Sequence, residues 1–210
     1  MLKNYLAEFV GTFLIVLVGC GSIAINEKYN GIVSHLGISL SFGTIVCIAI
    51  YMFKNYSTHF NPAVSITLYA NKQLSLKHLL LFVFFQCLGA TTGATLLKLL
   101  FPVNILLGST IPSGSNWQSF LLEFLLTFFL LALIFILDKH PTKYAAILIG
   151  LLIFLEAYFA GPICGASMNP ARSIGPALVS GHTSYLWIYV IAPVLGGLSA
   201  LFVYKKNSHT

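Results

Sequence analysis

Six apolar runs, near 5–25, 34–53, 78–100, 118–137, 144–159 and 185–204, each approach the ~20 residues that carry a helix across a ~30 Å hydrocarbon core. Backbone N–H and C=O groups find no partner in lipid, so runs of this kind fold as helices and predict an all-α membrane protein. Of the 210 residues, 58% are hydrophobic and 8% charged, which is about a third of the charge of a soluble domain. A water-soluble globule is thereby excluded. The first run follows Lys3, but Glu8 interrupts it and no small-x-small cleavage site comes after, so it reads as a first span rather than a leader.

The charge balance is basic, with 11 Lys+Arg against 5 Asp+Glu and a net charge of +6. No basic stripe exists beyond Lys205-Lys206, which argues against nucleic acid and for topology signals. With six spans the termini share one side. Lys3, Lys54, Lys72, Lys77, Lys139, Lys143, Lys205 and Lys206 fall on that side, leaving Lys28, Lys98 and Arg172 opposite. The imbalance predicts cytoplasmic termini. Cysteines 20, 47, 87 and 164 lie in apolar stretches without CxxC or His/Cys spacing, so neither disulfides nor a metal is expected, and no motif calls for a cofactor.

Two further apolar stretches, 61–70 and 169–179, reach only halfway through a bilayer at about 1.5 Å per residue. Each begins Asn-Pro-Ala: Asn61-Pro62-Ala63 and Asn169-Pro170-Ala171. Asn is a favoured N-cap, and Pro at the first helical position loses no hydrogen bond, so both stretches predict re-entrant half-helices. Such backbone survives at membrane depth only where protein buries it or a wet cavity borders it.

The chain also repeats. Ala7-Glu8-Phe9 with Gly11-Thr12-Phe13 is echoed by Leu122-Glu123-Phe124 with Leu126-Thr127-Phe128, and Gly89-Ala90 and Gly196-Gly197 follow the two Asn residues by 28 and 27 positions. Residues 1–210 therefore read as one channel domain of two repeats, about 1–100 and 116–206. Three spans separate the Asn-Pro-Ala motifs, so the half-helices enter from opposite faces and the repeats are inverted. Their positive N-terminal ends then converge near the midplane, where the Asn amides can offer N–H donors to a neutral oxygen while cations are repelled. The expected function is a passive filter for small uncharged polar molecules.

These motifs, with Arg172 following the second one and a Glu in the first and fourth spans, resemble the aquaporin, or major intrinsic protein, family over nearly the whole chain. The run Ala160-Gly161-Pro162-Ile163-Cys164-Gly165-Ala166-Ser167-Met168 is most similar to the nodulin-26-like branch and its bacterial relatives, which carry glycerol, metalloid hydroxides or water. The resemblance implies a homotetramer with one pore per subunit. It also implies a filter near the outer mouth at Phe42, Ala157, Ala166 and Arg172. Water-specific members place His where Ala157 stands, so two alanines here imply a wider, partly apolar gap and a preference for glycerol-like polyols, urea or metalloid acids alongside water. A water-selective channel is the alternative, because Phe42 stands where glycerol facilitators usually carry Trp. The run Phe53-Lys54-Asn55-Tyr56-Ser57-Thr58-His59 departs from the usual Gly-His-x-Ser-Gly, and Lys54 reads either as a gate at the cytoplasmic vestibule or as a lysine snorkelling to the surface.

Arg172 is the one arginine and reads as pore-lining. Glu8 and Glu123, at equivalent positions, read as braces that accept backbone N–H bonds from the re-entrant loops, in preference to a proton relay. Ala157 facing the pore would turn Glu156 toward a neighbouring helix or subunit, and pairing with Arg172 is the alternative. His59 either lines the pore or packs as a hydrogen-bonded histidine; Cys164 is either mercurial-accessible or buried and inert. Gly89-x-x-x-Gly93 and Gly196-x-x-x-Ala200 read as helix-packing faces. An ion channel or ion-coupled carrier is disfavoured by the absence of a carboxylate ring, and an enzyme by the absence of any nucleophile elbow, metal cluster or His-rich set.

Overall fold

The computed structural model describes residues 1–207, which form eight helices and no strand. Six are long and apolar enough to cross a membrane: α1 (Leu2–Lys28), α2 (Ser34–Phe53), α4 (Leu76–Leu100), α5 (Asn116–Lys139), α6 (Ala145–Cys164) and α8 (Leu186–Asn207). The short helices α3 (Pro62–Ala70) and α7 (Pro170–Ser180) are the two half-length stretches.

Both short helices start as their sequences dictate. The Asn61 side chain accepts from Ala63 N–H, and the Asn169 side chain accepts from the N–H groups of Ala171 and Arg172, with proline in the first turn each time. Packing follows the repeat. Helix α1 packs on α4 as α5 packs on α8; α7 packs on α4 as α3 packs on α8; and α2 with α6 joins the halves. The closest approaches recur as well. A Cβ on Gly89 would lie 2.2 Å from the Phe9 carbonyl oxygen, and one on Gly196 would lie 2.2 Å from that of Phe124. Lipid supplies no hydrophobic drive between helices, so this backbone-to-backbone contact is a main source of cohesion, and only glycine permits it.

Three details depart from the sequence expectation. Helix α1 runs from residue 2 to 28 rather than 5 to 25, and between Ile15 and Cys20 it widens into a π-helical turn. The turn shifts which side chains face inward. Ile15 borders the central cavity, and Gly19 leaves room for the Phe42 ring, which a Cβ there would meet at 2.3 Å. Helix α6 was expected to stop near 159 but continues to Cys164 through Pro162. Proline cannot donate to the carbonyl four residues back, Tyr158 O, and the His35 ring Nε2 donates to that oxygen instead at 2.7 Å. The helix ends only at Gly165, where φ is +86°.

Candidate functional site: the passage between the half-helices

Phe60 and Met168, the residues before the two Asn-Pro-Ala motifs, both have positive φ, +49° and +54°, a region that L side chains rarely adopt. Hydrogen bonds hold them there. Asn61 Nδ2 donates to Met168 O at 2.7 Å and Asn169 Nδ2 donates to Phe60 O at 2.8 Å, so each motif fixes the strained carbonyl of the other. Each amide therefore commits one N–H to this cross-brace. The amides were expected to offer their donors to whatever passes; tertiary structure leaves one N–H per Asn for that purpose.

Two buried carboxylates complete the frame. Glu8 accepts from the Ser57 hydroxyl, from His59 N–H at 2.9 Å, from Phe60 N–H at 2.6 Å and from Gln86 Nε2 at 2.7 Å. Glu123 accepts from Ser167 N–H at 2.7 Å and Met168 N–H at 2.8 Å. Buried backbone donors must be paired, and these loop residues lie in neither helix nor strand, so no secondary structure pairs their N–H groups. Gln86, which sequence reasoning passed over, also donates to Ser65 Oγ at 2.9 Å and so links α4 to α3. Its repeat-related position in α8 is Pro193, which has no side-chain donor, so the two halves are braced unequally.

A cavity of about 70 Å³ runs between the half-helices. Asn61, Asn169 and Arg172 give its lining polar groups, while Val46, Ile50, Leu130, Ile134, Ile149 and Ile153 make much of the rest apolar. That space is large enough for a few waters. A wider cavity of about 460 Å³ opens on the face away from the termini and includes His35, Ser39 and Thr110. The two share four lining residues: Phe42, Ala157, Ala166 and Arg172. Arg172 is 3% exposed, its guanidinium lies 4.8 Å from the Phe42 ring centroid, and its Nη1 donates to Gly108 O at 2.7 Å. Gly108, with φ +71°, packs on Cys20 so closely that a Cβ there would lie 2.7 Å from the Cys20 Cβ. Neither residue carries a motif, and both hold the arginine in place through the connection between α4 and α5.

The remaining candidates separate by position. His59 borders the central cavity and its Nδ1 lies 3.0 Å from Ser65 Oγ, so it is both lining and hydrogen-bonded. Lys54 borders neither cavity; it is exposed, with Nζ 4.9 Å from the Tyr51 ring centroid. Cys164 is buried away from both cavities, its Sγ 3.4 Å from Ala160 O. Among the described residues no cluster of three or more His, Cys, Asp or Glu is arranged to hold a metal.

Glu156 is 8% exposed, borders neither cavity, and neither of its carboxyl oxygens has a hydrogen-bond partner. Arg172 is engaged by Gly108 rather than by this acid. A buried polar group without a partner costs about 1–3 kcal/mol, so Glu156→Met, similar in length and apolar, is expected to stabilise the protein by about that much with flux retained. Thermal melting of the purified variant checks this, and a lower melting temperature would show that the carboxyl has a partner after all.

Six crossing helices, two half-helices meeting tip to tip, and a narrow passage between them define a membrane channel. Comparison with known proteins agrees. Residues 1–204 match the model of the major intrinsic protein family, and the chain belongs to that family. It is 38% identical over 216 residues to Aquaporin NIP2-1 of Arabidopsis thaliana, covering 97% of this chain and 75% of that one. It is 37% identical over 214 residues to Nodulin-26 of Glycine max, covering 100% and 79%. Its fold superposes on the aquaglyceroporin from Plasmodium falciparum with a TM-score of 0.88 at 25% identity, covering 98% and 96% of the two chains. The family is one of channels, not enzymes.

Proposed function

We propose that the chain is a passive pore for water and small uncharged solutes of glycerol size, with urea and metalloid acids in the same class, and that it excludes ions and protons. The observation that carries the preference for solutes larger than water is the junction of the two cavities, bordered by one aromatic ring, one guanidinium and two alanines. The alanine methyls leave room, and with Phe42 they offer a carbon chain an apolar surface; Arg172 gives a hydroxyl donors. The converging half-helix N-termini and Arg172 together oppose cations. In this reading Phe42, Ala157, Ala166 and Arg172 form the filter, and the Asn-Pro-Ala motifs form a second constriction deeper in. Glu8 and Glu123 hold the re-entrant loops, and Lys54 is a surface lysine.

The pore unit is the whole chain, built from two inverted repeats, and four copies assemble with one pore each. The termini are cytoplasmic in a plasma or bacterial inner membrane. Eight exposed lysines against the single acid Asp138 on the terminal face support that orientation. Stopped-flow light scattering on proteoliposomes, with water, glycerol, urea and arsenous acid in turn, tests the proposal. Accelerated glycerol and urea entry without ionic current is expected. Fast water flux with no solute acceleration would make the protein a water-selective channel, and a current unchanged by Arg172→Val would make it an ion channel.

A further inference from the structure

A groove of about 330 Å³ lies between α5 and α8, away from the pore. Along α5 its lining steps through Phe128, Ala132, Ile136 and Lys139, one face of the helix, and ends at His140. Ala200, Val203 and Tyr204 supply the α8 side. The floor is the Phe135–Tyr204 pair, stacked at 4.7 Å and 12°. Ala132 and Ala200 give the groove its depth, since larger side chains there would fill it.

Three observations say what fits. The groove is apolar along its length, and from Phe128 to Lys139 it spans about 16 Å at 1.5 Å per residue. That is half of a ~30 Å core, the depth of one leaflet. Its surface end carries the exposed side chains of Lys139 and His140, with Lys205 and Lys206 exposed at the end of α8. The only acid on this face, Asp138, accepts from Gln73 Nε2 at 3.3 Å. A second copy of the chain would bring more lysines to an already basic rim, whereas an anionic headgroup would neutralise them.

We infer that this groove is a binding site for one anionic phospholipid of the leaflet on the side of the termini. An acyl chain lies along Phe128, Ala132 and Ile136, and the phosphate sits against Lys139 and His140. The site depends on the membrane placement of the helices and not on what the pore conducts, so flux and lipid retention read the two proposals separately.

The test is native mass spectrometry of the full-length protein extracted from vesicles of mixed phosphatidylglycerol and phosphatidylcholine. Retention of phosphatidylglycerol over phosphatidylcholine is expected, and it should fall roughly fivefold in Lys139→Gln and further when His140→Gln is added. Ala132→Phe, which fills the groove and leaves Lys139 and His140 in place, is expected to release the lipid while glycerol or water flux persists as evidence of a folded channel. Soluble glycerol phosphate should not stabilise the protein against heat, whereas phosphatidylglycerol should. Equal retention of both lipids, or a preference that survives these substitutions, overturns the site. So does equal stabilisation by the soluble phosphate. Loss of oligomer without loss of lipid in Ala132→Phe would assign the groove to a neighbouring copy instead.

Discussion

Ala157→His is expected to lower glycerol permeability at least tenfold while water permeability stays within about threefold of the parent. The site of action is the junction where Phe42, Ala157, Ala166 and Arg172 border both cavities. An imidazole in place of a methyl removes the apolar recess that a carbon chain would occupy, yet it adds a polar edge that a water can still use. A tenfold fall corresponds to about 1.4 kcal/mol on the barrier, a modest demand for a ring inserted into a passage this narrow. The paired measurement is shrinkage of proteoliposomes under glycerol and under an impermeant osmolyte, with Ala157→Ser as a control that keeps the bore. If glycerol and water fluxes fell together, residue 157 would not set the selectivity of the passage.

Glu8→Ala is expected to be the most destabilising single change in the frame, on the order of 3–5 kcal/mol, with loss of flux through whatever protein remains folded. Four donors, from Ser57, His59, Phe60 and Gln86, converge on this carboxylate at membrane depth, where water cannot replace it. Phe60 also sits at positive φ, and its carbonyl accepts from Asn169, so releasing its N–H frees a strained residue that holds the opposite motif. Glu123→Ala removes the acceptor of two backbone N–H groups and should cost less. Thermal melting and oligomer integrity of the two purified variants decide the order. Equal losses, or a Glu8→Ala protein that melts like the parent, would mean that the loops are held chiefly by the Asn cross-brace.

Much of this was legible in the sequence because the physics involved is local. Length and apolarity mark a span, Asn followed by Pro marks a helix start, and recurrence of Glu and Gly at matched offsets marks a repeat. These features need no knowledge of what the segment touches. Helix α6 shows where local physics stops. The sequence places the end near residue 159, and the helix passes on through Pro162 because His35, 123 residues before Tyr158 in the helix start of α2, takes up the carbonyl that proline leaves. The π-helical turn in α1 is similar: Ile15–Cys20 has no residue that specifies it, and it is recognised only by its partners, Phe42 in the socket of Gly19 and Gly108 against Cys20. Lys54, which departs from the family pattern, stood out in the sequence, yet its side chain lies over Tyr51 outside both cavities.

By itself the sequence determined that the chain crosses a membrane six times, that two half-helices dip in from opposite faces, and that these begin at Asn61 and Asn169. Only tertiary structure decided how the tips are held, with one N–H of each Asn amide given to the carbonyl before the other motif and Gln86 joined to Glu8. It alone decided that Gly108 anchors Arg172, that Glu156 is buried without a partner, and that a leaflet-deep groove ends in Lys139 and His140. The division has one cause. Spans and caps are fixed by hydrogen bonds and burial within a few residues, whereas a hydrogen bond across 107 or 109 positions depends on where the other end of the chain arrives.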